Sequence, residues 1–356
     1  MSESNTPSSS SSRPLYEGST QFRNWRFSQE QLRETRTKLS VAAAKQIKDA
    51  FETDSARPFS RRSCRGQPGS SSDVSFLAPE EEQLLVKLYV GKVSQLCGHF
   101  RFPEEVEATA ISYLKRFYLR NTVMDWHPKN VMLTALFLAT KTTNHPIPVE
   151  AYTSTIPKTT PSDVLDLEFL VAQSLDFEFN VWHAHRALWG IYLDIQSLPD
   201  GMVDVSELQD VYRNSAKHVR ASRLTDAELI YAPSQIALAS LSMVNPNLAQ
   251  AWGQSKGSDA ILPVIDEIKS MITSDGQAPD VERVREVDRR LRICKNPEKI
   301  VGSKAYLAKK AAEEAKEQEK RMKKAEENRR NMDSGNPFGD ELGSGDGDDP
   351  NLDDDD

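Results

Sequence analysis

Few side chains in this 356-residue chain have a type and spacing that could do chemistry. His183 and His185 look like half of a metal site. Residues two apart on a helix do not share a face, however, and no third ligand lies nearby, so a structural role is expected. Cys64, Cys97 and Cys294 are too far apart for a zinc motif and odd in number for a disulfide framework, which points to a reducing compartment. The Asp-rich stretch from Asp340 to Asp356 lacks the alternating ligands and closing Glu of a calcium loop. Phe117, Tyr118 and Trp126 read as packing rather than as a base-stacking platform. No Walker loop, kinase Gly-rich loop, His-Arg-Asp motif or nucleophile elbow is present, so no catalytic residue, metal or cofactor is expected. One charge stands out. Lys141 closes a segment that is apolar nearly all round from Val131 to Ala139. A helix apolar on every side must be wrapped by others, so a charge at its end sits at the rim of a core, where a partner can reach it.

The elements that would position that lysine are helical throughout. Composition is ordinary for a folded protein, with 38% hydrophobic and 28% charged residues. The net charge of -8 is concentrated in the acidic end, and the remainder is close to neutral, which argues against nucleic acid as a direct partner. The Ser-rich start has no apolar signal core, and the longest apolar run is about half of the roughly 18 residues a membrane span needs, so no membrane association is expected.

Residues 1–14 read as a disordered tail, 15–52 as an N-terminal segment and helix, and 53–78 as a flexible loop. The N-terminal helix is opened by Ser28 and Gln31 as a capping box. From 79 to 180 come five helical patterns. The third opens at Pro128, and the fifth, about 160–175, opens at Thr160-Pro161 with Leu165, Phe169 and Ala172 inward. A second helical set fills 181–275, where Thr225 and Glu228 form a capping-box pattern and Pro233 opens a helix. A further helix is expected within 276–300, a charged helix or tail over 301–330, and a disordered acidic tail over 331–356.

The segment Tyr113 to Lys141, the stretch Ser19 to Ser28 and the stretch Leu229 to Leu238 together carry a resemblance to the cyclins, over roughly residues 16–295. The closest likeness is to the branch that serves the kinase-activating kinase and general transcription factor IIH. The resemblance implies an all-α fold of two tandem five-helix cyclin boxes with flanking N- and C-terminal helices. It also implies a nuclear regulatory subunit of a protein kinase rather than an enzyme. Its expected partner is the seventh cyclin-dependent kinase, with a RING-finger assembly subunit and the transcription factor IIH core as further partners. The implied outputs are phosphorylated kinase activation loops and a phosphorylated RNA polymerase II tail. In cyclins a Lys ending the third helix and a Glu in the fifth grip the kinase. Here these are Lys141 and Glu168, with Leu138 and Phe179 on the apolar part of that surface. Taken without the resemblance, Lys141 is a helix-end cation favoured by the dipole and Glu168 a solvated helix charge. The chain departs from the family pattern at Thr142 to Asn144, just past the lysine, and at Lys115, where an acid usually precedes Arg116. The docking patch of cell-cycle cyclins is replaced by Leu85 to Tyr89, so docking of the basic peptides that use it is not expected. Two other readings stay open: another transcriptional cyclin, of the cyclin C kind, and a tandem-box general transcription factor that binds DNA.

Overall fold

The computed structural model describes residues 15–55, 74–197, 205–256, 262–300 and 302–333, and no strand occurs among them. The chain divides into two units. One is drawn from Met1–Lys48 and Arg62–Lys295, the other from Asp49–Arg61 and Asn296–Asp356. The expectations for 1–14, for most of the 53–78 loop including Cys64, and for the acidic tail past 333 lie outside the described residues.

The first unit opens with a short helix α1 (Thr20–Asn24) and a long one, α2 (Gln29–Ser55), whose final residues belong to the second unit. Ser28 and Gln31 do exchange capping bonds, at 2.8 and 3.1 Å. Helix α2 runs to Ser55, three residues into the segment expected to be a loop. Next come α3 (Pro79–Phe100), α4 (Glu104–Phe117), α5 (Pro128–Thr142), α6 (Val149–Ser154), α7 (Pro161–Leu165) and α8 (Glu168–Ser174). Helix α5 is the axis of this bundle, packing against α3, α4, α7 and α8. Every residue from Val131 to Thr140 is buried, as an all-round apolar helix requires.

The fifth helical pattern of this bundle is not one helix. It breaks at Asp166–Leu167 into α7 and α8, and the break rephases the apolar stripe. Val164, Val171, Ala172 and Leu175 are buried, while Leu165 is 43% and Phe169 69% exposed. The expectation that Leu165 and Phe169 point inward is corrected accordingly. With Val171 and Leu175 one turn apart on the inner side, Phe169 falls on the opposite face.

A second bundle follows: α9 (Ala184–Gln196), α10 (Val205–Ser222), α11 (Ala227–Ile230), α12 (Pro233–Val244), α13 (Pro246–Ser255) and α14 (Leu262–Asp275). Here α12 is the axis, packed against α9, α10, α13 and α14. The capping box expected of Thr225 and Glu228 does not form. The Thr225 hydroxyl accepts from the Ala227 N–H, and the Glu228 carboxylate is taken instead by Ser112 and Lys115 of α4. Helix α13 is set by Asn245-Pro246: the Asn side chain caps the helix and the Pro opens it. The last helix of the unit, α15 (Val281–Cys294), packs on α3 through Val284, Val287 and Leu291.

The second unit contains a 3₁₀ turn, Pro297–Lys299, and α16 (Lys304–Asp333). Lys309 reaches Glu298 at 2.7 Å, while Arg321–Glu317 and Lys323–Glu319 pair along the exposed helix. The charged segment is therefore a solvated helix.

Candidate functional site

Lys141 lies in the last turn of α5, which ends on a set of local bonds. Its start is capped by the His127 ring, whose Nδ1 accepts from the Lys129 N–H. At its end Thr142 and Thr143 turn their hydroxyls back onto the carbonyls of Leu138 and Ala139, and Asn144 takes the left-handed backbone (φ 61°) that stops a helix. Thr142 Oγ1 also lies 3.0 Å from the Tyr113 hydroxyl. The departure at Thr142 to Asn144 is thus a helix stop written in polar residues.

The Lys141 ammonium sits 4.4 Å above the Phe137 ring centroid and donates to Glu168 Oε1 at 2.6 Å. Glu168 is the first residue of α8, and both side chains are partly exposed. A pair of this kind contributes at most about 1 kcal/mol. It is therefore cheap to exchange for another donor and acceptor. The ammonium keeps further donors, and the carboxylate keeps a second oxygen.

The pair stands beside an apolar patch that sequence patterns concealed. Phe169 and the 54%-exposed Phe177 lie with ring centroids 6.0 Å apart, and Phe177 stands edge-on to Phe179 at 6.3 Å. Phe179 is half-buried, and its carbonyl accepts from the Tyr113 hydroxyl at 2.7 Å. Burial pushes that hydroxyl up to about 12, so it stays a donor at physiological pH. Leu138 is only 6% exposed and lies mostly in the core beneath. The four residues singled out in the sequence therefore split: Lys141 and Glu168 meet in a direct bond, Phe179 borders the aromatic patch, and Leu138 supports α5.

Phe177 and Asp176 both have left-handed backbone, at φ 59° and 51°. For a bulky residue this costs about 1–2 kcal/mol and needs enforcement. Arg120 holds the Asp176 carboxylate with two donors, and the Phe177 N–H returns to the Ala172 carbonyl at 3.0 Å. The next residue, Glu178, accepts from Asn24 Nδ2 and Trp25 Nε1, each at 2.6 Å. The Trp25 indole is fully buried, and the guanidinium groups of Arg116 and Arg120 each lie 5.0 Å from its ring centroid.

Cations link the two bundles. Arg223 is 7% exposed and bonds Glu104 at 2.6 Å and Glu107 at 3.1 Å. Lys115 is buried and joins Glu228 at 2.9 Å and the Thr225 carbonyl at 2.7 Å. Its departure from the family's acidic residue is thus matched by an acid on the other bundle.

The histidine pair is brought together after all, with rings stacked 5.1 Å apart, because His183 precedes α9 rather than lying on it. His183 bonds the Thr109 hydroxyl at 3.0 Å, and burial holds its pKa well below the usual range. Burial, then the neighbouring Arg223, lowers His185 to about 4. No group of three His, Cys, Asp or Glu able to hold a metal occurs among the described residues. Burial also pushes the Cys97 thiol up to about 12 and the Cys294 thiol to about 11, which leaves both unreactive. No described helix is long and apolar enough to cross a membrane.

Comparison with known proteins places the two bundles. The family described as cyclin, N-terminal domain, matches residues 80–180, and the cyclin C-terminal domain matches 183–273. Cyclin mcs2 of Schizosaccharomyces pombe is 31% identical over 91% of this chain and 98% of its own. Cyclin-H1-1 of Arabidopsis thaliana is 26% identical over 78% of this chain and 88% of its own. Among solved structures, a chain of the CAK complex from Chaetomium thermophilum bound to ATP-gamma-S superposes with a TM-score of 0.71 at 27% identity, covering 84% of this chain and 94% of that one. A chain of the yeast TFIIK (Kin28/Ccl1/Tfb3) complex gives 0.59 at 32% identity, covering 72% and 100%.

Proposed function

We infer the function from one premise: the chain belongs to the cyclin family and, within it, to cyclin H. It is the cyclin partner of a kinase of the type of the seventh cyclin-dependent kinase, in a transcription factor IIH setting. The observation that carries this is the match, over 84% of this chain, to a subunit of a CAK complex. As a regulatory subunit it supplies no catalytic group. It acts by binding one state of the kinase better than the other, which shifts the population toward that state.

In this reading Lys141 and Glu168 are the polar grip. On docking they exchange their mutual bond for the kinase's backbone, the ammonium donating to carbonyls and the carboxylate accepting from N–H groups. Phe169, Phe177 and Phe179 supply the apolar area beside them, and Leu138 fixes α5 from below. Pressure on the kinase's mobile αC helix then completes the Lys–Glu ion pair its phosphate site needs. Phosphorylation of kinase activation loops and of the RNA polymerase II tail, a RING-finger assembly subunit, the transcription factor IIH core and a nuclear location complete the proposal.

The test is a charge swap, Lys141→Glu with Glu168→Lys. The swap keeps an internal pair, so the melting temperature should hold, while kinase affinity should fall by at least ~2 kcal/mol, since charge-assisted bonds contribute about 1.5–3 kcal/mol each. Unchanged affinity and unchanged kinase activation would sink the assignment of these residues.

A further inference from the structure

Away from the Lys141 rim, α3 and α15 enclose an open groove of about 440 Å³. Its floor is apolar, with Leu88 and Tyr89 of α3 and Val284 of α15, the first two only half-buried. The charges that line it are Arg285, Arg289 and Arg292 against Asp288 alone. Asp288 is already occupied. Its Oδ1 lies 3.3 Å from His127 Nε2, and its Oδ2 accepts from Arg292 at 3.0 Å. Arg285 shares only the exposed Glu282, and Arg289 has no carboxylate partner among the described residues.

The groove is fixed in place. Val284, Val287 and Leu291 are buried against the first bundle, and Arg290 bonds Glu81 and, at 3.2 Å, the Phe76 carbonyl. His127 packs edge-on to Tyr89 at 5.7 Å while it caps α5. The groove therefore meets the N-terminal end of α5, and Lys141 lies at the other end, about 20 Å away at ~1.5 Å per residue. Both surfaces can be occupied at once.

We propose that this groove is a docking site for an acidic segment of a partner protein carrying a large apolar anchor. A volume of this size accepts such a side chain. Three guanidinium groups beside it favour carboxylates, which they bind in two-point fashion. Arginine and tyrosine around an apolar pocket are also the usual composition of binding hot spots. Outside its acidic end the chain is close to neutral, so three arginines against one carboxylate make the groove locally positive, and its field selects acidic partners from the encounter onward.

The test is fluorescence anisotropy on the full chain, with a labelled Glu-rich peptide holding a Phe and a Leu four residues apart. Controls are the same peptide with Lys for Glu, and with Ala for Phe and Leu. The first peptide should bind, both controls should fail, and binding should weaken with salt. Arg285→Ala with Arg289→Ala should cost roughly tenfold in affinity. Both side chains are exposed, and circular dichroism checks that the helices persist. Photo-crosslinking from the Phe position on the unmodified chain should label residues of α3 or α15. Equal binding of the Lys peptide, labelling elsewhere, or no loss in the double variant would overturn the proposal. So would displacement of the peptide by duplex DNA, which would assign the arginines to phosphates.

Discussion

Arg223→Met removes the cation that ties the second bundle to α4 and keeps most of the apolar stem. Losing one partner of a buried pair costs about 3–5 kcal/mol. Two facts reduce that here. The side chains of Glu104 and Glu107 are 29% and 18% exposed, and Glu104 keeps Arg220 at 3.2 Å. Halving for that screening gives about 2 kcal/mol. For a unit of this size that lowers the melting temperature by roughly 3–4 °C. The assay is calorimetry of the wild type, Arg223→Met, Glu104→Gln and the double variant, with an expected coupling of about 1 kcal/mol or more. Acid supplies a second readout. Burial works to raise the Glu104 carboxyl, but Arg223 and Arg220 outweigh it and hold it below its ordinary value of 4.5. A depressed carboxylate stabilises above its unfolded pKa and loses that contribution as pH falls through its folded one. The gap between wild type and Arg223→Met should therefore be full at neutral pH and close as pH falls below 4.5. A melting temperature within about 1 °C of wild type, or strict additivity in the cycle, would refute the clamp.

Two further outcomes follow from the same structure. Phe177→Gly should leave the free chain as stable or up to about 1 kcal/mol more stable, because the left-handed strain is relieved, yet weaken kinase binding at least tenfold; thermal melts and kinase titrations check both, and a fall in stability with unchanged affinity would remove Phe177 from the contact surface. Glu82 is buried, and burial pushes its carboxyl up to about 7 although the Val123 N–H donates to it. A raised carboxyl stabilises below its unfolded pKa and loses that contribution as pH rises, so unfolding free energy should drop between pH 4.5 and about 7, then level off. In Glu82→Gln, denaturant titrations should lack that slope and show a gain of up to about 3 kcal/mol at pH 8, at 1.36 kcal/mol per unit.

The parts of this fold legible in the sequence were those set by local rules. The all-round apolar run Val131–Ala139, Pro128 at a helix start and the Ser28–Gln31 box are decided within a few residues of themselves. The misreadings share a cause, since each depended on a distant residue or on phase. Glu228 had a local capping role on offer and was taken by Lys115 of the other bundle. Phe169 continued a helical stripe on paper, but a two-residue interruption at Asp166–Leu167 turned it outward. The same holds for the site. Lys141 was visible from the core it terminates, whereas its meeting with Glu168 came from family likeness, and the Phe169–Phe177 patch required knowing where α7 stops.

Glu178 lies between two aromatic residues of the candidate contact surface, yet its carboxylate is spent entirely on Asn24 and Trp25. The N-terminal strap also reaches the second bundle, where the Phe27 N–H donates to the Leu229 carbonyl at 2.8 Å. Residues 20–28 thus work like a tendon, setting the posture of the side chains on the candidate contact surface. A chain shortened past Ser28 would lose these bonds, and in a kinase-binding screen it would read like one with a damaged contact surface.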